Sequence, residues 1–143
     1  MSKFLDTLST VEIDDKIFSI SDHDFRYQSD VAKRTFTVPV GFYTDFESMP
    51  RWVPMLYALL GDIAHQPAVV HDWLYYAAIT DRKMADDVLY EAMELIGVPN
   101  YKRHMIWFGL RIGGWAAWNK HRKDGDPQAG KFADSPDILA LKK

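Results

Sequence analysis

The hydrophobic pattern of this chain changes period once, near residue 52, and that switch restricts the fold more than any other feature. Before it, apolar residues alternate with polar ones, the period of half-buried strands. After it they recur every three or four residues, the period of amphipathic helices. Strands first and helices after predict an α+β fold: a small N-terminal antiparallel sheet followed by three or four packed helices.

The strand candidates are Lys16–Ile20, Asp24–Gln28 and Arg34–Val38, with turn chemistry at Ser21-Asp22-His23-Asp24 and a stop at Pro39. A short helix is expected over Trp52–Leu60, broken at Gly61, and a longer one from Pro67 to about Ile79. Thr80-Asp81 supplies an N-cap for a helix over Arg82–Ile96, whose apolar stripe runs through Ala85, Val88, Leu89, Ala92, Met93 and Ile96. Gly97-Val98-Pro99 ends it, and a last helix is expected over Asn100–Asn119.

Composition sets the scale. One core is expected from 143 residues that are 48% apolar, so residues 1–123 read as a single globular domain and residues 124–143, polar and broken by Pro and Gly, as an extended C-terminal arm. The absence of Cys removes disulfides, thiolate metal sites and a Cys nucleophile, leaving imidazole, carboxylate and hydroxyl chemistry. No apolar run is long enough to span a membrane, and the N-terminal residues lack the apolar core expected of a secretory signal. The net charge of −3 is unevenly spread: residues 1–50 hold 5 basic and 9 acidic side chains, residues 51–100 hold 3 and 7, and residues 101–143 hold 9 and 4. The body is therefore acidic and the end basic.

Two segments gather the residue types that do chemistry: Val38 to Arg51 (VPVGFYTDFESMPR), and His65, His71-Asp72-Trp73-Leu74-Tyr75, Arg82 and Asp86. His71 and Tyr75 are four apart and share a helix face; Asp72 lies on the adjacent face. If the two helices form an antiparallel hairpin, Asp86 returns to the level of His71 and Tyr75. There its carboxylate can hold one imidazole nitrogen and leave the other as a general base. Asp45, Ser48, Arg51 and Arg82 are candidate supporting residues. A metal alternative uses His65, His71, Asp72 and Asp86, a donor set suited to zinc, manganese or iron. Against both stands the reading in which buried His, Asp, Tyr and Arg simply satisfy one another's hydrogen bonds. Ser48 lacks the flanking glycines of a nucleophile elbow, and no phosphate-binding glycine loop is present.

The run VPVGFYTDFESMPR, then HDWLYY, then Arg82 with MADD and the Gly- and Trp-containing last helix, resembles a family of small proteins of tailed bacteriophages and prophages, catalogued as a domain of unknown function. The resemblance covers roughly residues 34–119 and implies a phage origin. More loosely, His-Asp-x-x-Tyr followed by Ala-Asp on a second helix is similar to the sites of secreted and parvoviral phospholipase A2 domains. That resemblance implies His71 as base, Asp72 as calcium ligand, Asp86 as the carboxylate orienting His71 and Tyr75 as its support. The upstream calcium loop of those enzymes is missing here, and the turn from Gly41 to Asp45 would have to replace it.

Residues 101–123 carry Lys102, Arg103, Arg111, Lys120, Arg122 and Lys123 and no acid, interleaved with Trp107, Phe108, Trp115 and Trp118. Gly109, Gly113 and Ala117 form a smooth strip suited to close helix packing, and the terminal cations complement the helix dipole. Tryptophan with Lys and Arg is also an interfacial composition, which makes Lys102, Arg103, Arg111, Trp115 and Trp118 candidates for an anionic membrane surface. Nucleic acid is not an expected partner of a net acidic chain.

These features support two functional expectations. One is a virion-associated or accessory protein of a tailed phage, a tail, baseplate or capsid component, oligomeric among other phage structural proteins. It would be found in the virion and, before assembly, in the host cytoplasm. The other is a His-Asp-dependent hydrolase acting on host envelope lipid or cell wall, with a divalent cation, calcium or zinc, as cofactor.

Overall fold

The computed structural model describes residues 1–14, 17–45, 65–122, 126 and 128–141. Six strands come first: β1 (Lys3–Phe4), β2 (Thr10–Asp14), β3 (Ile17–Ile20), β4 (Phe25–Ser29), β5 (Arg34–Val38) and β6 (Tyr43–Asp45). Five described helices follow: α1 (His65–Ala77), α2 (Arg82–Leu95), α3 (Asn100–Gly113), α4 (Trp115–Lys120) and α5 (Pro136–Leu141). The fold is α+β, as the period switch predicts. The expected single sheet is two antiparallel three-stranded sheets, ordered β1-β4-β5 and β2-β3-β6. The expected helix over Trp52–Leu60 lies outside the described residues.

Alternation explains the β1-β4-β5 sheet. Phe25, Tyr27 and Ser29 of β4 point inward while Arg26 is exposed, and Phe36 and Val38 of β5 are buried. Antiparallel register sets Phe25 opposite Val38 and Tyr27 opposite Phe36, so the buried pairs lie side by side on one face. Glu91 on α2 locks this sheet to the helices, accepting from the Tyr27 hydroxyl at 2.7 Å, the Ser29 hydroxyl at 2.8 Å and the Val31 amide at 2.8 Å.

Helix α1 is the centre of the molecule. Residues 67–75 are all buried, so the helix is enclosed on every side rather than along one stripe. It ends where Ala78 turns left-handed, at φ 52°. Asp81 caps α2 by accepting the Met84 amide at 2.7 Å.

The long last helix expected over Asn100–Asn119 is two helices, divided at Gly114. The division falls at a crowded point. A Cβ on Gly114 would lie 2.6 Å from the Tyr75 hydroxyl and 3.0 Å from Arg82 Nη1, so only glycine admits these neighbours. The close approach thus falls on Gly114, one residue past the Gly109–Gly113 strip. At the end of α3 the Leu110 carbonyl accepts the Gly114 amide at 2.8 Å and also Arg82 Nη1 at 2.7 Å, and Arg82 Nη2 donates to the Arg111 carbonyl at 3.2 Å. Arg122 does the same for α1, donating to the Tyr75 and Tyr76 carbonyls and lying over the Trp118 ring.

The C-terminal segment differs from the extended arm expected over residues 124–143. Its described residues fold back onto the core. The Gln128 side chain bonds both backbone groups of Tyr43, accepting its amide at 3.0 Å and donating to its carbonyl at 2.9 Å, as a neighbouring strand would. Phe132 packs against Phe42, Trp73 and Tyr76. Asp137, opening α5, accepts the Thr37 amide at 2.8 Å and the Trp73 indole N–H at 2.9 Å. Polar composition suggested an arm because the partners of these polar groups lie 64 to 100 residues away.

Candidate functional site

Asp86 is the hub of the helical layer. One oxygen, Oδ1, lies 2.8 Å from His71 Nε2 and accepts the Tyr75 hydroxyl at 2.6 Å. The other, Oδ2, accepts from Arg111 Nη1 at 2.9 Å and stands 3.7 Å from Arg82 Nη1. Both His71 and Asp86 are fully buried, and Tyr75 is 1% exposed. The i, i+4 spacing puts His71 and Tyr75 on the face of α1 that meets α2, with ring centroids 4.2 Å apart. Arg82 and Asp86 repeat that spacing on α2. Arg111 arrives from the last turn of α3.

The electrostatics follow from this set. Burial pushes the Asp86 carboxyl up, but the hydrogen bonds it accepts from His71, Tyr75 and Arg111 outweigh it and hold the group below the usual carboxylate range. Burial and the adjacent Asp86 charge push the Tyr75 phenol up, so it stays protonated and donates. An ionised carboxylate can only accept, so Nε2 of His71 carries the hydrogen of that bond. In the neutral ring, Nδ1 then holds the free lone pair. Nδ1 is buried and has no hydrogen-bond partner among the described residues. A bare acceptor in a well-bonded core calls for an explanation.

The structure therefore brings together His71, Tyr75, Asp86 and Arg82 of the predicted residues. Asp72 follows His71 on α1 and is nearly buried. Ser48 and Arg51 lie outside the described residues, as do the side chains of Asp45 and His65. Asp45 is placed only by its backbone, at the end of β6 opposite Ile17, and His65 only as the first residue of α1. Among the described residues, no three His, Asp or Glu side chains gather closely enough to hold a metal ion. The oxygens of Asp86 are taken by protein donors and cations, and Nε2 of His71 is committed to Asp86. The described residues assemble neither the zinc, manganese or iron site of the donor-set reading nor the calcium site that the phospholipase A2 resemblance implies.

Arg111 is a site residue that sequence reasoning put on a surface. Its signal was its place beside Leu110, on the core side of α3 together with Ile106. Arg103 likewise turns inward, its guanidinium 5.1 Å from the Tyr90 ring centroid and 3.7 Å from Glu94. Trp118 packs edge-on against Tyr75 at 5.3 Å, behind the site. Of the five predicted surface residues, Lys102 and Trp115 make no ion pair or ring contact among the described residues.

Residues 20–110 match a family model described as protein of unknown function (DUF1353). The span contains β4 to β6, α1, α2 and α3 through Leu110, and so His71, Tyr75, Arg82 and Asp86; Arg111 falls one residue beyond it. No curated protein matches the chain, and no solved structure does. With well over half of its 143 residues inside that match, the chain belongs to the DUF1353 family.

Proposed function

We propose that this protein is a hydrolase in which His71 acts as general base toward water. The observation that carries the reading is the asymmetry of the imidazole: Nε2 is anchored on an ionised Asp86, while the basic Nδ1 has no partner among the described residues. Such an anchor fixes the tautomer and ring orientation and stabilises the imidazolium formed when the base takes a proton. Hydrogen bonds from His71, Tyr75 and Arg111 keep Asp86 ionised, Arg82 stands 3.7 Å from its second oxygen, and Tyr75 holds the oxygen that faces His71. Because His71 is fully buried, turnover requires an open state that brings water and substrate to Nδ1. The substrates to test are phospholipid vesicles and peptidoglycan, a lipid and a polymer of the bacterial envelope. The expected result is turnover by the wild type that falls about 100-fold or more in His71→Ala. Equal turnover by the two proteins removes His71 from the mechanism.

The second reading is a virion-associated component of a tailed phage, in which the same network only ties three helices together. The complete burial of His71 and Asp86 favours a structural role for the network, and the likeness of its motifs to phage and prophage proteins supports a phage origin. On this reading the protein copurifies with virions and self-associates or binds other virion proteins. A stable monomer absent from purified particles rejects it.

A further inference from the structure

Helix α3 turns its core face, Ile106 and Leu110, inward and leaves its opposite face bare. Tyr101, Met105, Phe108, Ile112 and Trp115 are all exposed, from 50% to 66%. Their spacing of four, three, four and three keeps them within an arc of about 80° on a helix of 3.6 residues per turn. Gly114 keeps right-handed helical dihedrals, φ −68° and ψ −16°, so the stripe carries into α4. It runs about 21 Å, at 1.5 Å per residue. Singly exposed apolar residues need no explanation, but a continuous stripe marks an interaction surface.

The charges around the stripe choose the occupant. Residues 101–122 contain no Asp or Glu, although the whole chain carries −3. Arg103, Arg111 and Arg122 are engaged by Glu94, by Asp86 and by the carbonyls of α1. Lys102 and Lys120 border the stripe and form no ion pair among the described residues. A second copy laid antiparallel along this face would set Lys102 and Lys120 against the same cations, with no Asp or Glu in residues 101–122 to pair them, which disfavours pairing. An anionic surface complements it. Tyrosine and tryptophan at the two ends of the stripe, with Met, Phe and Ile between, suit the boundary between lipid headgroups and acyl chains.

We propose that the α3–α4 face adsorbs to anionic lipid bilayers, with Phe108 and Ile112 at the acyl boundary and Lys102 and Lys120 at the phosphates. This site is separate from His71 and is read without turnover. The test is co-sedimentation of the full chain with phosphatidylcholine–phosphatidylglycerol vesicles, alongside light scattering of the protein alone. The expected result is pelleting that weakens in high salt and with phosphatidylcholine alone. The double variant Phe108→Ser/Ile112→Ser should bind about tenfold more weakly or worse, with unchanged thermal unfolding because both side chains are exposed. Lys102→Gln and Lys120→Gln should each weaken binding about fivefold. Failure of the wild type to pellet overturns the proposal, as does equal pelleting by the double-serine variant. So does a dimer that the double-serine variant dissolves while vesicles stay unbound.

Discussion

Two buried aspartates join distant parts of this molecule, and their surroundings differ in kind. Asp86 sits among α1, α2 and α3 with Arg111, Arg82, His71 and Tyr75 around it, and its carboxyl is held below the ordinary value of 3.8. Asp137 ties α5 to β5 and α1 through two neutral N–H donors, with Arg34 at 3.6 Å. There burial dominates and pushes the carboxyl above the same 3.8. Hydrogen bonds alone are enough to place a carboxyl group; keeping it charged in a dry interior takes cations. The hub that orients His71 is therefore a charged device, and the clamp at the C-terminal end is a dipolar one.

The comparison breaks most visibly at Asp86. Asp86→Ala leaves Arg111, His71 and Tyr75 without their acceptor and Arg82 without its nearby carboxylate, and should cost about 3–5 kcal/mol in denaturant unfolding. A loss below about 1 kcal/mol would mean that the hub is not a charged network. Removing one donor is milder. Tyr75→Phe takes away a buried bond to an ionised group and should cost about 1.5–3 kcal/mol, measured the same way.

The clamp should tolerate the matching change. In Asp137, one oxygen, Oδ2, receives both the Thr37 amide and the Trp73 indole. The amide oxygen of Asn can take its place, so Asp137→Asn should cost no more than about 1 kcal/mol. Asp86→Asn must set an NH2 group against a donor, since both of its oxygens are used, and should cost clearly more. Equal costs would erase the distinction.

Acidity gives opposite signs. Asp86 has a lowered folded value, so its stabilisation is present above the unfolded value and is lost as pH falls through the folded one. Asp137 has a raised folded value, so its stabilisation is full below the unfolded value and is lost as pH rises through the folded one. Asp137→Asn should therefore be more damaging near pH 3 than near pH 7, read as the difference in urea unfolding free energy from wild type (about 3 being below the unfolded value). The smallest effect belongs to Arg34→Gln, which removes a half-exposed cation at 3.6 Å and should cost less than about 0.5 kcal/mol.

Local rules read much of this architecture. Arg34–Val38 is the strand that its alternation predicts, and Arg82 opens α2 behind the Asp81 cap. The meeting of His71, Tyr75 and Asp86 follows from two i, i+4 spacings and a hairpin. What stayed hidden depends on partners far along the chain. Arg111 reads as a surface cation until Asp86 is placed 25 residues away beside it. Asp137 reads as part of a solvated arm until the indole of Trp73, 64 residues back, reaches it. Gly114 looks like one glycine among several until the Tyr75 hydroxyl is found where its Cβ would be.

The central claim, that an ionised Asp86 fixes His71 with Nδ1 as the free base, is tested most directly by nitrogen NMR of ring-labelled histidine at neutral pH, assigned with His71→Asn. The account predicts that His71 carries its hydrogen on Nε2 and that Nδ1 resonates as a bare, pyridine-type nitrogen. A hydrogen on Nδ1 with a bare Nε2 would contradict it.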